Sequence, residues 1–248
     1  MRESMDFAVM RGDRRQNLLC DFLIADGHRA QLLPEPERWS KENLLPPGAF
    51  LVTAKANDQL REAAEAQGFH VLEYGKLPSF KEENGAVTAE GALQVAMRHR
   101  LRTLKGSDVL VIGYGGIGRP LAALLKAMGA ASVTVAVRRE EQLWVLKGEG
   151  YRPMLSRALE ERAGDCDVIF NTAPELLLTG AVLERLRPGA LVVDLASKPG
   201  GVDWEAAKTL NIKAVHALAL PGQLTPVSGA QAIRNAVYEL CKEETYAR

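Results

Sequence analysis

The residues best suited to chemistry lie in the stretch "DVLVIGYGGIGRPLAALLKAMGA". Gly113, Gly115 and Gly118 stand in GxGxxG spacing, directly after the apolar run from Val109 to Ile112 and at the opening of a helical pattern. A pyrophosphate cradle needs that context of strand, glycine turn and helix start. Gly113 permits a tight turn, Gly115 lets the backbone come close to a pyrophosphate, and Gly118 allows close helix–strand packing. The helix N-terminus adds unpaired N–H donors and the positive end of the dipole. The whole loop, Gly113, Tyr114, Gly115, Gly116, Ile117 and Gly118, is therefore a candidate dinucleotide site. The plainer alternative is a glycine-rich turn with no ligand.

The stretch "SVTVAVRREE" bears on which dinucleotide. In an NAD-type unit an Asp or Glu about 20 residues beyond the glycines accepts the ribose 2′-OH. Arg138 occupies that place here, with Arg139 beside it, and the preceding Ala136 and Val137 have no acceptor to offer. A guanidinium matches a 2′-phosphate in charge and in planar donor geometry. The pair predicts NADP; the alternative is two solvated arginines at a helix start. Downstream, "FNTAP" and "DLASKPGG" fall where the next strands should end, and open α/β sheets bind ligands at those ends. Asn171, Thr172 and Ala173 are candidates for the nicotinamide-ribose side. Asp194, Ser197 and Lys198 are expected to face the reacting ring or the substrate, Ser197 as a cofactor contact. Lys198, Asp194 and His216 are the catalytic candidates, although each could be an ordinary structural or loop residue and no base stands out.

Alternating strand-like and helical patterns position these residues, which predicts an α/β fold: a small N-terminal α/β domain followed by a Rossmann-type doubly wound parallel sheet. The boundaries are an N-terminal, substrate-side domain over 1–85, a bridging helix over 86–105 with Thr88 as its N-cap, an NADP-binding domain over 106–224, and a C-terminal helix over 225–248. Strands are expected at "MDFAVM", "HRAQLL", "AFLVTA" and "FHVLEY" in the first part, and at "DVLVIG", "SVTVAV", "DVIFNTA", "ALVVDLAS" and "IKAVHA" in the second. The Pro-rich "PEPERWSKENLLPPG" reads as a connection with about one helical turn.

With 31 basic and 31 acidic residues among 248, the chain lacks the cationic excess that nucleic acids and anionic membranes attract. Its composition, 47% hydrophobic and 25% charged, allows a substantial core. No apolar run approaches the roughly 18 residues of a membrane span, and the N-terminus lacks a signal-peptide pattern. Cys20, Cys166 and Cys241 are too scattered for a disulfide framework or a zinc site. The expectation is a cytoplasmic protein with no metal, no nucleic-acid partner and no membrane partner.

At "VVDLASKPGGVDW" the chain resembles the A subunit of dipicolinate synthase. "GDRRQ" (Gly12 to Gln16), "VTAEGALQVAM", "NTAPELLL" and "ALALPGQLTPVSGAQAI" fit the same pattern. The resemblance runs almost continuously through the Rossmann half and touches the N-terminal half at its ends. The family's N-terminal domain is usually longer, and the middle is shortened here around "PEPERW" to "LLPPGAF". The resemblance implies a pyridine-nucleotide-dependent oxidation of a dihydropyridine dicarboxylate to dipicolinate during sporulation. It also implies a partner, a flavoprotein-like B subunit. A small dicarboxylate needs cations, and Lys198, Arg14 and Arg15 are the available ones. Glu90, in what reads as a first helical turn, is a further acid. Two other readings stay open: a different small-acid NAD(P)-dependent dehydrogenase, and a nucleotide-binding scaffold without chemistry. A homo-oligomer is also left open.

Overall fold

The computed structural model describes residues 4–39 and 45–246, and the chain divides into two compact units. The first combines Met1–Val87 with Pro221–Arg248, and the second is Thr88–Leu220.

The first unit is built on a parallel sheet of β1 (Asp6–Met10), β2 (Arg29–Leu33), β3 (Phe50–Thr53) and β4 (His70–Glu73), in the order β2-β1-β3-β4. Helix α1 (Arg14–Ala25) starts where the Asp13 carboxylate accepts the Arg15 N–H at 2.9 Å, and it ends before Gly27, whose φ of +92° suits only glycine. Helix α2 (Asp58–Ala66) is capped in the same way by Asn57, which accepts the Leu60 N–H. Phe7, Leu19, Leu23, Leu51 and Leu72 are fully enclosed between the sheet and its helices. Within the Pro-rich connection only a 3₁₀ turn, Pro36–Arg38, is described; residues 40–44 lie outside the described set.

Helix α3 (Pro78–His99) corrects the expected bridge over 86–105. It begins at Pro78, since a proline at the first helical position gives up no needed N–H and has a preset φ. Thr88 is consequently in mid-helix and buried rather than an N-cap, and exposed Glu90 is not in a first turn.

The second unit is a six-stranded parallel sheet: β5 (Asp108–Ile112), β6 (Ser132–Val137), β7 (Arg152–Leu155), β8 (Val168–Asn171), β9 (Leu191–Asp194) and β10 (Lys213–His216). Its order, β10-β9-β8-β5-β6-β7, is the 3-2-1-4-5-6 arrangement of dinucleotide-binding sheets when counted from β5. Helices α4 (Gly118–Ala127), α5 (Glu141–Gly148), α6 (Leu159–Arg162), α7 (Gly180–Glu184) and α8 (Trp204–Thr209) connect the strands. Val109, Leu110, Val111, Val168, Ile169 and Phe170 are completely enclosed, as expected of central strands covered on both faces. The sequence pattern predicts no strand at β7. Pro153 interrupts that run, and β7 tolerates it by pairing on one side only, with β6.

After the short α9 (Leu220–Gln223), the last helix α10 (Pro226–Tyr246) belongs to the first unit and is not a separate closing segment. Ala232, Ile233, Ala236 and Val237 share a core with Phe7, Leu19 and Leu23. Arg234 and Tyr238 both donate to the Asp26 carboxylate at the end of α1. The Arg234 guanidinium holds that carboxyl below its usual range. All three cysteines are buried as thiols, and burial pushes Cys20 and Cys166 up to about 11, so both stay protonated and unreactive at neutral pH.

Candidate functional site

Chain order reverses direction between β5 and β8, and their carboxyl ends open onto a cavity of about 520 Å³. The turn after β5 forms one wall, and its three glycines face different constraints. Gly113 has a φ of +95°, and a Cβ there would run into the Thr172 hydroxyl. At Gly118 a Cβ would strike the Gly113 carbonyl oxygen, which holds α4 tight against the turn. Gly115 differs, since nothing lies within 4 Å of its absent side chain. Among the described residues no acceptor meets the N–H groups of Gly115, Gly116 and Ile117. Tyr114 lines the cavity too, and it donates its hydroxyl to Glu149 at the end of α5, under the Arg119 guanidinium. Burial, together with that carboxylate, raises the phenol above its ordinary range.

This difference between the glycines makes a prediction. Gly115→Ala should leave the melting temperature within about 2 °C, because a methyl group meets no atom, yet it should abolish nucleotide binding by occupying the ligand's approach. Gly118→Ala should destabilise the fold itself by about 2 kcal/mol or more, because backbone must shift. Thermal melts paired with nucleotide titrations distinguish the two.

Opposite the glycine turn, Arg138 and Arg139 leave the end of β6 and line the same cavity, with Gln142 and Ser156. Arg138 is 78% exposed, and its Nη1 lies 3.5 Å from Glu175 Oε2, itself 54% exposed. Glu175, Gln142, Ser156 and the Tyr114 partner Glu149 are not foreseen from the sequence, where no spacing rule links them to the glycines.

The other wall comes from the loop after β8, which β9 braces from beneath. Asn171 and Asp194, paired across these strands, are both 0% exposed. Asn171 donates from Nδ2 to Asp194 Oδ1 (2.8 Å) and to the Ala173 carbonyl (3.0 Å), while its Oδ1 accepts the Ala173 N–H. Thr172 donates its hydroxyl to the Ile112 carbonyl at 2.8 Å, tying the β8 loop to the end of β5. Thr172 and Ala173 line the cavity; Asn171 shapes their loop from beneath.

Asp194 does not face the cavity, which corrects its expected place at the reacting ring. Its Oδ1 accepts from Asn171 and the Ala196 N–H (3.1 Å), and its Oδ2 accepts the Gly201 N–H at 3.0 Å. The acid thus folds "DLASKPGG" around itself, and Gly200 and Gly201 are needed because a side chain would collide with Asp194 and Asn171 respectively. His216 is also engaged: its Nε2 donates to the Ala196 carbonyl at 3.0 Å, and its ring lies 5.3 Å from that of Trp204. A carbonyl only accepts, so Nε2 carries the proton in this contact. Ser197 and Lys198 are exposed at the tip of the loop, whose backbone closes through Gly200 N–H to the Ser197 carbonyl.

In the first unit, "GDRRQ" is organised around Arg15. The guanidinium donates to both Asp13 oxygens and to Asn84 Oδ1 (3.3 Å). The "PGQLTPVSG" segment closes over this clamp: a side chain at Gly222 would meet Asp13 and one at Gly229 would meet Arg15 at 2.6 Å. These two sequence motifs therefore form one packed structural feature, in which Asp13 and Asn84 hold the Arg15 guanidinium in place. Arg14 is exposed.

Comparisons with known proteins agree with this geometry. The family model described as "D-isomer specific 2-hydroxyacid dehydrogenase, NAD binding domain" matches residues 78–218. The A subunit of dipicolinate synthase from Bacillus subtilis (strain 168) is 36% identical over 160 residues, which is 64% of this chain and 54% of that protein. The chain thus spans about half the length of this curated relative. The crystal structure of the dipicolinate synthase A chain from Bacillus subtilis superposes with a TM-score of 0.83 at 25% identity, covering 100% of this chain and 99% of that one. The corresponding protein from Bacillus halodurans gives 0.80 at 24% identity, covering 96% and 98%, a likeness of fold. With a doubly wound sheet, a glycine cradle at its switch point and a family match over more than half its length, the chain belongs to the D-isomer specific 2-hydroxyacid dehydrogenase NAD-binding domain family and is similar to the A subunit of dipicolinate synthase.

Proposed function

We propose that this dehydrogenase-type protein uses NADP to oxidise a dihydrodipicolinate-type dicarboxylate to dipicolinate, as the A subunit of a cytoplasmic sporulation enzyme with a flavoprotein-like B subunit. The observation that carries the cofactor assignment is the pair Arg138 and Arg139 on the wall of the cavity opened by the glycine turn. The likeness to the A subunit of dipicolinate synthase supports the substrate and the partner.

The residues fit the cofactor. Open space at Gly115 and the N–H groups of residues 115–117 suit a pyrophosphate at the start of α4. Arg138 and Arg139 would take the 2′-phosphate, and Thr172 and Ala173 the nicotinamide-ribose side. Bound NADP⁺ supplies the hydride acceptor. The chain's part is to fix the ring's position and exclude water. Asn171 acts from below by holding the β8 loop on the cavity wall, and Asp194 braces Asn171. The substrate loses a hydride and one proton, giving dipicolinate, NADPH and H⁺. Lys198, exposed at the tip of the Asp194 loop, is the cation assigned to the substrate.

Turnover of freshly generated dihydrodipicolinate with NADP⁺, followed at the NADPH absorbance with and without a B subunit, tests this reading. NADPH formation supports it. NADP-linked turnover of another small acid, with none on this one, favours a different dehydrogenase. Nucleotide binding without any turnover favours a scaffold.

A further inference from the structure

The first unit carries a cavity of its own, about 380 Å³, lined only by residues of that unit. It lies at the carboxyl ends of β1, β2 and β3. In the order β2-β1-β3-β4 the connection from β1 leads to one side and the next strand is added on the other. This is the reversal at which open α/β sheets bind ligands. Arg11, the first residue after β1, and Lys55, two residues after β3, both line it. Neither side chain has an ion pair or hydrogen bond among the described residues, whereas Arg15 is paired with Asp13 and bonded to Asn84.

The backbone beneath both cations is fixed. The Arg11 N–H continues the β1–β2 ladder to the Leu33 carbonyl at 2.8 Å. The Thr53 hydroxyl donates to the Lys55 carbonyl at 3.1 Å, the Ala54 carbonyl accepts the Gly75 N–H, and Asn57 caps α2. On the β2 side the wall is acidic: Glu35 and Glu37, the latter receiving the Gln59 amide. The two cations can take one carboxylate between them, and the two acids keep the site from drawing in more than that one negative group.

We propose that Arg11 and Lys55 form a carboxylate-binding site for the substrate, in the role the sequence had suggested for Arg14 and Arg15. The substrate class rests on the proposed oxidation of a dihydropyridine dicarboxylate; the site rests on the cavity and its unpaired cations. One carboxylate takes the planar Arg11 fork and the Lys55 ammonium.

The test is calorimetric titration of the full chain with dipicolinate, alongside separate NADPH titrations and thermal melts. Arg11→Gln and Lys55→Gln should each weaken dipicolinate at least tenfold, with NADPH affinity and melting temperature unchanged. Arg14→Gln should bind as the wild type does. Picolinate, with one carboxylate, should bind within a few fold and show the same dependence on both residues. Wild-type affinity in both variants overturns the site, and so does a wild-type protein that takes NADPH but no dipicolinate at millimolar concentration. If dipicolinate binds through these residues and no nicotinamide nucleotide binds, the site stands and the NADP reading falls.

Discussion

Replacing Arg138 by alanine will weaken NADPH binding about 10- to 150-fold, the equivalent of roughly 1.5–3 kcal/mol for a hydrogen bond to a charged group. NADH affinity should change by no more than about twofold, since NADH lacks the 2′-phosphate. Stability should not change either. Arg138 is 78% exposed, and its ion pair to Glu175 at 3.5 Å is on the surface, where such pairs contribute about 0–1 kcal/mol. Fluorescence titrations with both nucleotides measure this directly. Arg139 lines the same cavity, so the double variant should remove what preference remains. Equal binding of the two cofactors by the wild-type protein would return both arginines to the surface. A clear preference for NADH would shift attention to Glu175, an acid on the same cavity wall able to accept a ribose hydroxyl.

The glycine turn was legible because its signal is local. Three glycines at fixed spacing, between an apolar run and a helix start, constrain backbone conformation whatever surrounds them. The arginines at the end of β6 were legible for the same reason, a count along one supersecondary unit. Features that depend on packing left no such trace. An acid at a strand end reads alike whether it points into a cleft or folds the next loop around itself, and Asp194 does the latter. Two adjacent arginines in "GDRRQ" looked equivalent, but Asp13 and Asn84 engage Arg15 while Arg14 stays exposed. The cations at the first unit's cavity, Arg11 and Lys55, are 44 positions apart and belong to no motif. Pro153 hid β7, because a proline argues against a strand unless its edge position is known.

Asp194→Ala should be the most damaging single change in the second unit. The carboxylate is 0% exposed and satisfies three donors, Asn171 Nδ2 and the N–H groups of Ala196 and Gly201. Removing it strands them in a site from which water is excluded, at about 1–3 kcal/mol per orphaned group. Network effects are not additive, so a total of about 3–6 kcal/mol is expected. For a chain of this size that corresponds to a fall in melting temperature of roughly 6–20 °C. Asp194→Asn should be almost as severe. An amide keeps the volume but offers one acceptor in place of two, and its NH₂ would confront one of the three donors. His216→Ala should be milder, as it frees only the Ala196 carbonyl and removes the contact with Trp204. The Asn variant separates a positioning role from a proton-transferring one. A base that touched substrate would leave a protein of unchanged melting temperature, with kcat reduced and its dependence on pH altered. A buried organiser instead loses stability, and nucleotide affinity falls with it, because the Asn171 loop carries Thr172 and Ala173 on the cavity wall. A melting temperature within about 2 °C of wild type for Asp194→Asn, with turnover abolished, would restore Asp194 to the reaction itself.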